Sequence, residues 1–312
     1  MFGTYRLILA CLVALSHYGL IVAGFNPGQW AVLSFYVVSG YLMECQFHRL
    51  STCRLFYADR FLRIYPLFVT VLLLSLLLAH LSLPVILGNC SLFPLNYYAF
   101  SGIPIIVGLS WSLACEAHFY LLVPLLACAS IKSVRWIALC SMGVFLVSPF
   151  LPHTAFWAYE GLPGILFAFL SGILIKRKDW FFLRWVWICF AGLLAAFAYS
   201  KFGHLGLPTG IHINVCVGYL VALPVVSWLA SLSPKVRWDQ QLGLLSYPLF
   251  LAHGLVRDFV SRHFPHVPML LLLVLAIAAS GLLVILVERP VDRIRYKIRT
   301  GPGRNSTDRH KF

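Results

Sequence analysis

Ten apolar stretches recur along the chain, separated by shorter polar segments. They run over residues 7–24, 30–47, 64–84, 106–130, 136–152, 161–175, 185–200, 211–231, 242–260 and 268–287. Each approaches the ~20 residues that a helix needs to cross a ~30 Å hydrocarbon core. The stretches are solidly apolar, without the period-two alternation of a membrane β-barrel. The pattern therefore predicts an all-α fold, a polytopic integral-membrane helix bundle of about ten transmembrane helices. No repeat, linker or appended domain interrupts it, so residues 1–296 read as one transmembrane domain and 297–312 as a short, polar, basic tail.

Composition excludes the soluble alternatives. Of 312 residues, 61% are hydrophobic and 11% charged, against about a quarter charged in a typical soluble domain. So few charges cannot cover a water-exposed Rossmann, barrel or sandwich fold. The net charge of +14 would point to nucleic acid in a soluble protein. Here the membrane accounts for it. With the N-terminus in the cytoplasm, 21 of the 24 Lys and Arg fall on the cytoplasmic side, leaving Lys201, Arg257 and Arg262 outside. That is the positive-inside bias, and one missed or extra span would invert everything after it. Both termini are expected in the cytoplasm, with lipid and not nucleic acid as the surrounding partner. The nine cysteines are scattered, with no CxxC or Cys/His ligand spacing, so neither a metal nor a disulfide framework is expected. Ile8 to Cys11 faintly resembles a lipoprotein cleavage site but comes too early, and the first span reads as a retained helix.

Charges within the apolar stretches need a reason, because each costs a few kcal/mol on insertion scales. Glu116 is the only charged residue between Arg63 and Lys132. It lies 16 residues before Lys132, about 24 Å of helix. His17 lies 11 residues beyond Arg6, about 16 Å up the first helix. The two can reach similar depth from different helices. A carboxylate beside an imidazole can orient the ring and raise its basicity for proton abstraction from a hydroxyl; alternatively, the pair is a hydrogen bond stapling two helices. A second constellation is Phe56 to Pro66, where Arg60 and Arg63 are three apart and share a helix face. Two guanidinium forks suit a phosphate cluster, or they anchor the topology.

These residues carry a resemblance. Arg6-x10-His17, Phe35-Tyr36-Val37-Val38-Ser39-Gly40-Tyr41-Leu42, the Phe56–Pro66 segment, Ser110-Trp111-Ser112-Leu113-Ala114-Cys115-Glu116-Ala117-His118-Phe119-Tyr120-Leu121, Leu242 to His253 (LGLLSYPLFLAH) and Val287-Glu288-Arg289-Pro290 follow one another in order. Together they resemble the acyltransferase 3 family of integral-membrane acyltransferases, here without an appended hydrolase-like domain.

The resemblance implies transfer of an acyl group from acyl-CoA to a hydroxyl of a cell-envelope or exported glycan, such as O-antigen or exopolysaccharide, in the bacterial cytoplasmic (inner) membrane. Acetyl-CoA is the default donor, with succinyl or longer acyl groups as alternatives, and no metal is implied. Arg60 and Arg63, with Arg6 as a further candidate, would meet the donor on the cytoplasmic side. His17 would serve as general base or carry the acyl group, Glu116 would orient it, and Tyr120 would donate to the thioester carbonyl. Ser39, Gly40, Trp111 and His253 are candidates along the substrate path, although Ser39-Gly40 reads more simply as close helix packing and His253 equally as a core histidine. The glycan acceptor would approach from the outer side, its pocket shaped by loops such as 85–105 with Asn89, Asn96, Tyr97 and Tyr98.

Two positions depart from the family pattern. Leu33 stands where an acidic residue is common, and Asp59-Arg60 where two arginines are common. Two other classes compete. A transporter or flippase of a glycan or lipid-linked intermediate accounts for kinked helices but not for Arg60-x-x-Arg63. A non-catalytic scaffold would leave His17 dispensable.

Overall fold

The computed structural model describes residues 1–50, 52–78, 82–203, 210–232 and 236–300. His80, His204, Lys235 and tail residues 301–312 lie outside them. Among the described residues there is no β-strand. The helices are α1 (Phe2–His17), α2 (Pro27–Phe47), α3 (Cys53–Leu76), α4 (Leu83–Cys90), α5 (Tyr98–Ser101), α6 (Ser110–Cys128), α7 (Ile131–Val147), α8 (Leu162–Lys176), α9 (Trp180–Phe202), α10 (Gly210–Ser231), α11 (Arg237–His263), α12 (Met269–Leu283) and α13 (Arg289–Thr300). Each of the ten apolar stretches overlaps one of the long helices, although 64–84 runs past the end of α3 and through residues outside the described set. Among the described residues, six segments are long and apolar enough by themselves to cross a membrane: those of α6, α7 and α8 with their flanking turns, α9, α10, and α12 running on into α13. In contrast, α3 carries Asp59, Arg60 and Arg63, and α11 carries Asp239, Arg257 and Asp258. A π-helical turn, Val284–Glu288, carries α12 on into α13.

Helix ends follow local chemistry. Asn26 caps α2, its side-chain oxygen accepting from the Gly28 amide at 2.9 Å, with Pro27 in the first turn. The end of α1 corrects the predicted span. Gly19 adopts φ +108°, the Gly19 amide donates to the Ser16 carbonyl at 3.2 Å, and the Leu20 amide donates to Leu15 at 2.9 Å. This paired closure needs a positive φ that glycine supplies without strain. It stops the helix just beyond His17, whereas the apolar pattern alone carries it to residue 24.

Packing brings α1 between α2 and α11, and α2 against α8 and α10. Lipid tails are as apolar as leucine, so backbone proximity rather than water exclusion holds such helices together. A Cβ on Gly40 would stand 1.8 Å from the Phe169 carbonyl oxygen, and one on Gly172 would stand 2.1 Å from that of Val37. Gly40 is therefore a packing residue. The α1–α11 contact is as close at Gly3, and there Asp239 caps α1, accepting from the Gly3 amide at 3.1 Å and from the Thr4 amide and hydroxyl at 2.8 and 2.7 Å. Burial of the Asp239 carboxyl opposes its ionisation, but these donors and the Met1 ammonium outweigh burial and hold its pKa below the usual carboxylate value.

Gly40→Ala forces α2 off α8 and is expected to lower the thermal unfolding midpoint in detergent, consistent with an overpacking cost of about 1–3 kcal/mol. Gly143→Ala, where the added methyl meets open space, is expected to leave the midpoint unchanged.

Candidate active site

Between α1, α2, α3, α6, α8, α11 and α13 lies a cavity of about 790 Å³, within the ~300–1,000 Å³ range of ligand clefts. Its mouth is basic, with Arg49, Lys176, Arg295 and Arg299 among its lining, and it deepens past Arg6, Arg60 and Arg63 to Ser39, Glu116 and Tyr120. A second pocket of about 140 Å³ lies beyond it, lined by His17, Asn26, Gln29, Trp111, Tyr159 and Glu160. Val32 lines both chambers.

Glu116 is held from two helices. The Ser39 hydroxyl of α2 donates to its Oε1 at 2.5 Å, and the Tyr120 hydroxyl, one turn along α6, donates to the same atom at 2.5 Å. The i,i+4 spacing explains the second contact. The Tyr120 proton is thus directed at Glu116 rather than at a substrate carbonyl. Arg6 lies within electrostatic reach of Glu116, Tyr120, Arg63 and Glu288, and its guanidinium has no hydrogen-bond or ion-pair partner among the described residues.

The structure does not join His17 to Glu116. Because α1 closes at His17, the imidazole sits at the far end of that helix and lines the smaller pocket. Its ring neighbour is His253, edge-on at 5.1 Å between centroids. The Nδ1 of His253 lies 2.9 Å from the Phe250 carbonyl oxygen, while its buried Nε2 has no hydrogen-bond partner. Arg257 donates to the His17 carbonyl at 3.3 Å, and the Tyr18 hydroxyl donates to that of His253 at 3.0 Å. The His17 ring itself makes no hydrogen bond among the described residues, so its nitrogens are available to a ligand.

Around His17 the pocket is aromatic and polar. Trp111 packs on Tyr159 at 5.3 Å between ring centroids. The Oε1 of Gln29 is buried without a partner. Glu160 ends a π-helical turn, Phe156–Glu160, and accepts from the Tyr98 hydroxyl at 2.8 Å. Glu160 was legible in one respect, being the only acidic residue in the predicted outer connections. Two asparagines expected to face an acceptor are instead loop staples. Asn89 donates to the Val85 and Pro104 carbonyls, both at 2.9 Å, and Asn96 donates to those of Trp111 and Glu160 at 3.3 and 2.8 Å.

Arg60 and Arg63 of α3 both line the large cavity, yet each already has a counter-charge. Arg63 pairs with Glu288, the carboxylate of the closing Val-Glu-Arg-Pro element, and lies over the Tyr247 ring at 5.1 Å. Arg60 pairs with Asp59, donates to Met43 Sδ at 3.5 Å and lies over Tyr120 at 5.8 Å. Asp59 is fully buried and also receives Gln46, Arg295 and Arg299. Burial opposes ionisation of Asp59, but Arg60, Arg295 and Arg299 outweigh it and hold the carboxyl well below the usual range. The departure from paired arginines at 59–60 thus supplies the carboxylate that binds α13.

Arg63→Met strands the Glu288 carboxylate in the bundle. Breaking a buried pair costs about 3–5 kcal/mol, whereas replacing both partners by apolar groups is often neutral. Thermal unfolding of Arg63→Met is expected to fall markedly, and the Arg63→Met/Glu288→Leu double variant to recover most of the loss.

Comparison with known proteins places this geometry in a family. The acyltransferase 3 family, described as an acyltransferase domain, matches residues 5–289. An uncharacterized protein of Aquifex aeolicus (strain VF5) is 29% identical over 203 residues, covering 61% of this chain and 89% of that protein. No solved structure matches. With its match spanning almost the whole chain and its apolar helices long enough to cross a bilayer, this integral membrane protein belongs to the acyltransferase 3 family.

Proposed function

We propose that the protein moves an acyl group, acetyl by default, from acyl-CoA to a hydroxyl of a cell-envelope or exported glycan, such as O-antigen or exopolysaccharide. In this reading it is an O-acyltransferase of the bacterial cytoplasmic membrane with both termini inside. The positive-inside bias supports that orientation, because it puts the basic mouth on the side where acyl-CoA is made. One observation supports the reading: a cavity lined by cations and a separate pocket containing His17 share Val32 as a lining residue.

In this reading the donor's nucleotide stays at the arginine-lined mouth and its uncharged arm runs inward past Arg63 and Arg6. The thioester reaches the Val32 layer, near Glu116 and its two hydroxyl donors. The acceptor enters the other pocket, where Trp111 and Tyr159 offer an apolar platform for a sugar ring, and Gln29 and Glu160 offer hydrogen-bond acceptors for its hydroxyls. His17 takes the proton of the attacking hydroxyl. The hydroxyl oxygen then bonds to the carbonyl carbon, the carbon–sulfur bond breaks, and the thiolate leaves to be protonated as free CoA. The unpaired Arg6 guanidinium, beside Glu116, is placed to stabilise negative charge as the bond breaks. His253 acts as a positioning residue, fixing the ring plane of His17 by edge-on packing.

The test is release of free CoA from acetyl-CoA by purified protein in detergent, with membrane extract as acceptor. Wild type is expected to turn over, and His17→Ala to lose about 10²–10⁴-fold while still binding donor. Wild-type turnover that survives unchanged in His17→Ala would remove His17 from the chemistry. Well-folded protein that neither binds nor cleaves acetyl-CoA would sink the donor assignment. Val32→Phe, which adds bulk to a residue lining both chambers, is expected to abolish turnover at unchanged donor affinity, and Val32→Ala to retain it.

A further inference from the structure

The mouth of the large cavity carries more positive charge than the carboxylates around it can balance. Three guanidiniums, from Arg60, Arg295 and Arg299, converge on the single carboxylate of Asp59. Every guanidinium nitrogen of Arg60 and of Arg295 is engaged there. Arg60 donates from Nε and Nη2 to Asp59 and from Nη1 to Met43, while Arg295 donates from Nε and Nη2 to Asp59 and from Nη1 to Asp292. Arg299 engages Asp59 through Nε alone, at 2.8 Å, and keeps both terminal nitrogens.

Across the mouth, Arg49 follows the end of α2 and Lys176 is the last residue of α8. Both lie within electrostatic reach of Cys45. Neither has a hydrogen-bond or ion-pair partner among the described residues, and both line the cavity with Arg299. Gln46, adjacent to Cys45, donates to Asp59, so the two walls are tied at the mouth. The neighbouring Arg177 is not part of this set, because Glu44 and the carbonyls ending α6 consume it: Nε donates to Glu44 at 2.7 Å, and its terminal nitrogens donate to Ala129 at 2.7 Å and Leu126 at 2.8 Å.

We propose that Arg49, Lys176 and Arg299 form an anion site at this mouth that holds a phosphate monoester, and so select a donor carrying the terminal 3′-phosphate of CoA over one lacking it. The proposal rests on the donor reading above. A dianionic monoester accepts several charge-assisted hydrogen bonds at once, which fits three cations, one just after α2 and the others on α8 and α13, better than a singly charged phosphodiester does. Binding there also supplies the negative charge that Asp59 alone cannot. The α13 helix thereby becomes part of the donor site, and Arg60 and Arg63, deeper and already paired, line the path inward. An anionic lipid headgroup offers related chemistry at the same end of the bundle, so the experiment separates the two sources.

Titration calorimetry on full-length protein in uncharged detergent would compare CoA with dephospho-CoA. Wild type is expected to prefer CoA by about tenfold or more, one charge-assisted contact being worth at least that factor. Arg49→Ala, Lys176→Ala and Arg299→Gln should each reduce that preference toward unity and leave dephospho-CoA affinity unchanged. Equal wild-type affinity for both probes overturns the proposal, as does an equal loss for both probes in the variants. If the variants keep the CoA preference but lose retention of phosphatidylglycerol in mixed micelles, the site is a lipid site and the proposal fails. Absence of any CoA binding by folded wild type would instead refute the underlying donor assignment.

Discussion

Arg63, Arg177 and Arg295, carried into an apolar bundle, are each matched by a carboxylate from a distant part of the chain. Arg63 of α3 meets Glu288 at the α12–α13 junction, Arg177 after α8 meets Glu44 of α2, and Asp59 gathers α13 back onto α3. Removing one partner of such a pair strands a charge where solvation is poor. These pairs therefore specify which helices are neighbours, which apolar contacts cannot do when lipid competes equally well for the same surfaces. They also allow a polar cavity to persist among helices whose other faces are apolar.

The second constraint is backbone proximity. Gly40, Gly172 and Gly3 let helices approach until carbonyls fill the space of a side chain. Ser39, adjacent to Gly40, is thereby directed at Glu116 of α6. Packing and site chemistry thus share one short segment of α2. At the opposite end, the glycine closure after His17 fixes where α1 stops and so which chamber the imidazole faces.

The resulting arrangement is two chambers that share Val32 in their walls. The larger is entered past unsaturated cations, and the smaller holds an imidazole free of hydrogen bonds beside aromatic and amide groups. In the acyl transfer we propose, separate approaches would keep donor, acceptor and water apart until the substrates meet. The π-helical turns ending at Glu160 and Glu288 place one carboxylate in the small chamber and one against Arg63, consistent with the frequent occurrence of such turns at functional sites.

Helix content, membrane character and the family were legible from the sequence, because each follows from local signals: apolar run length, scarcity of charge and short ordered motifs. The candidate residues were also legible as chemistry misplaced in an apolar run, and His17, Glu116, Arg6, Arg60 and Arg63 all line one chamber or the other. Their pairing was not legible. Depth counted along two helices can bring His17 and Glu116 to the same level, but it says nothing about which faces meet. Tertiary packing put His17 against His253 and Glu116 against Ser39 and Tyr120. Nor does spacing along the chain reveal that Asp59 binds arginines 236 and 240 residues away. Run length and composition are properties of single segments, whereas the partner of a charge depends on how segments distant in sequence are brought together, and only the folded bundle contains that information.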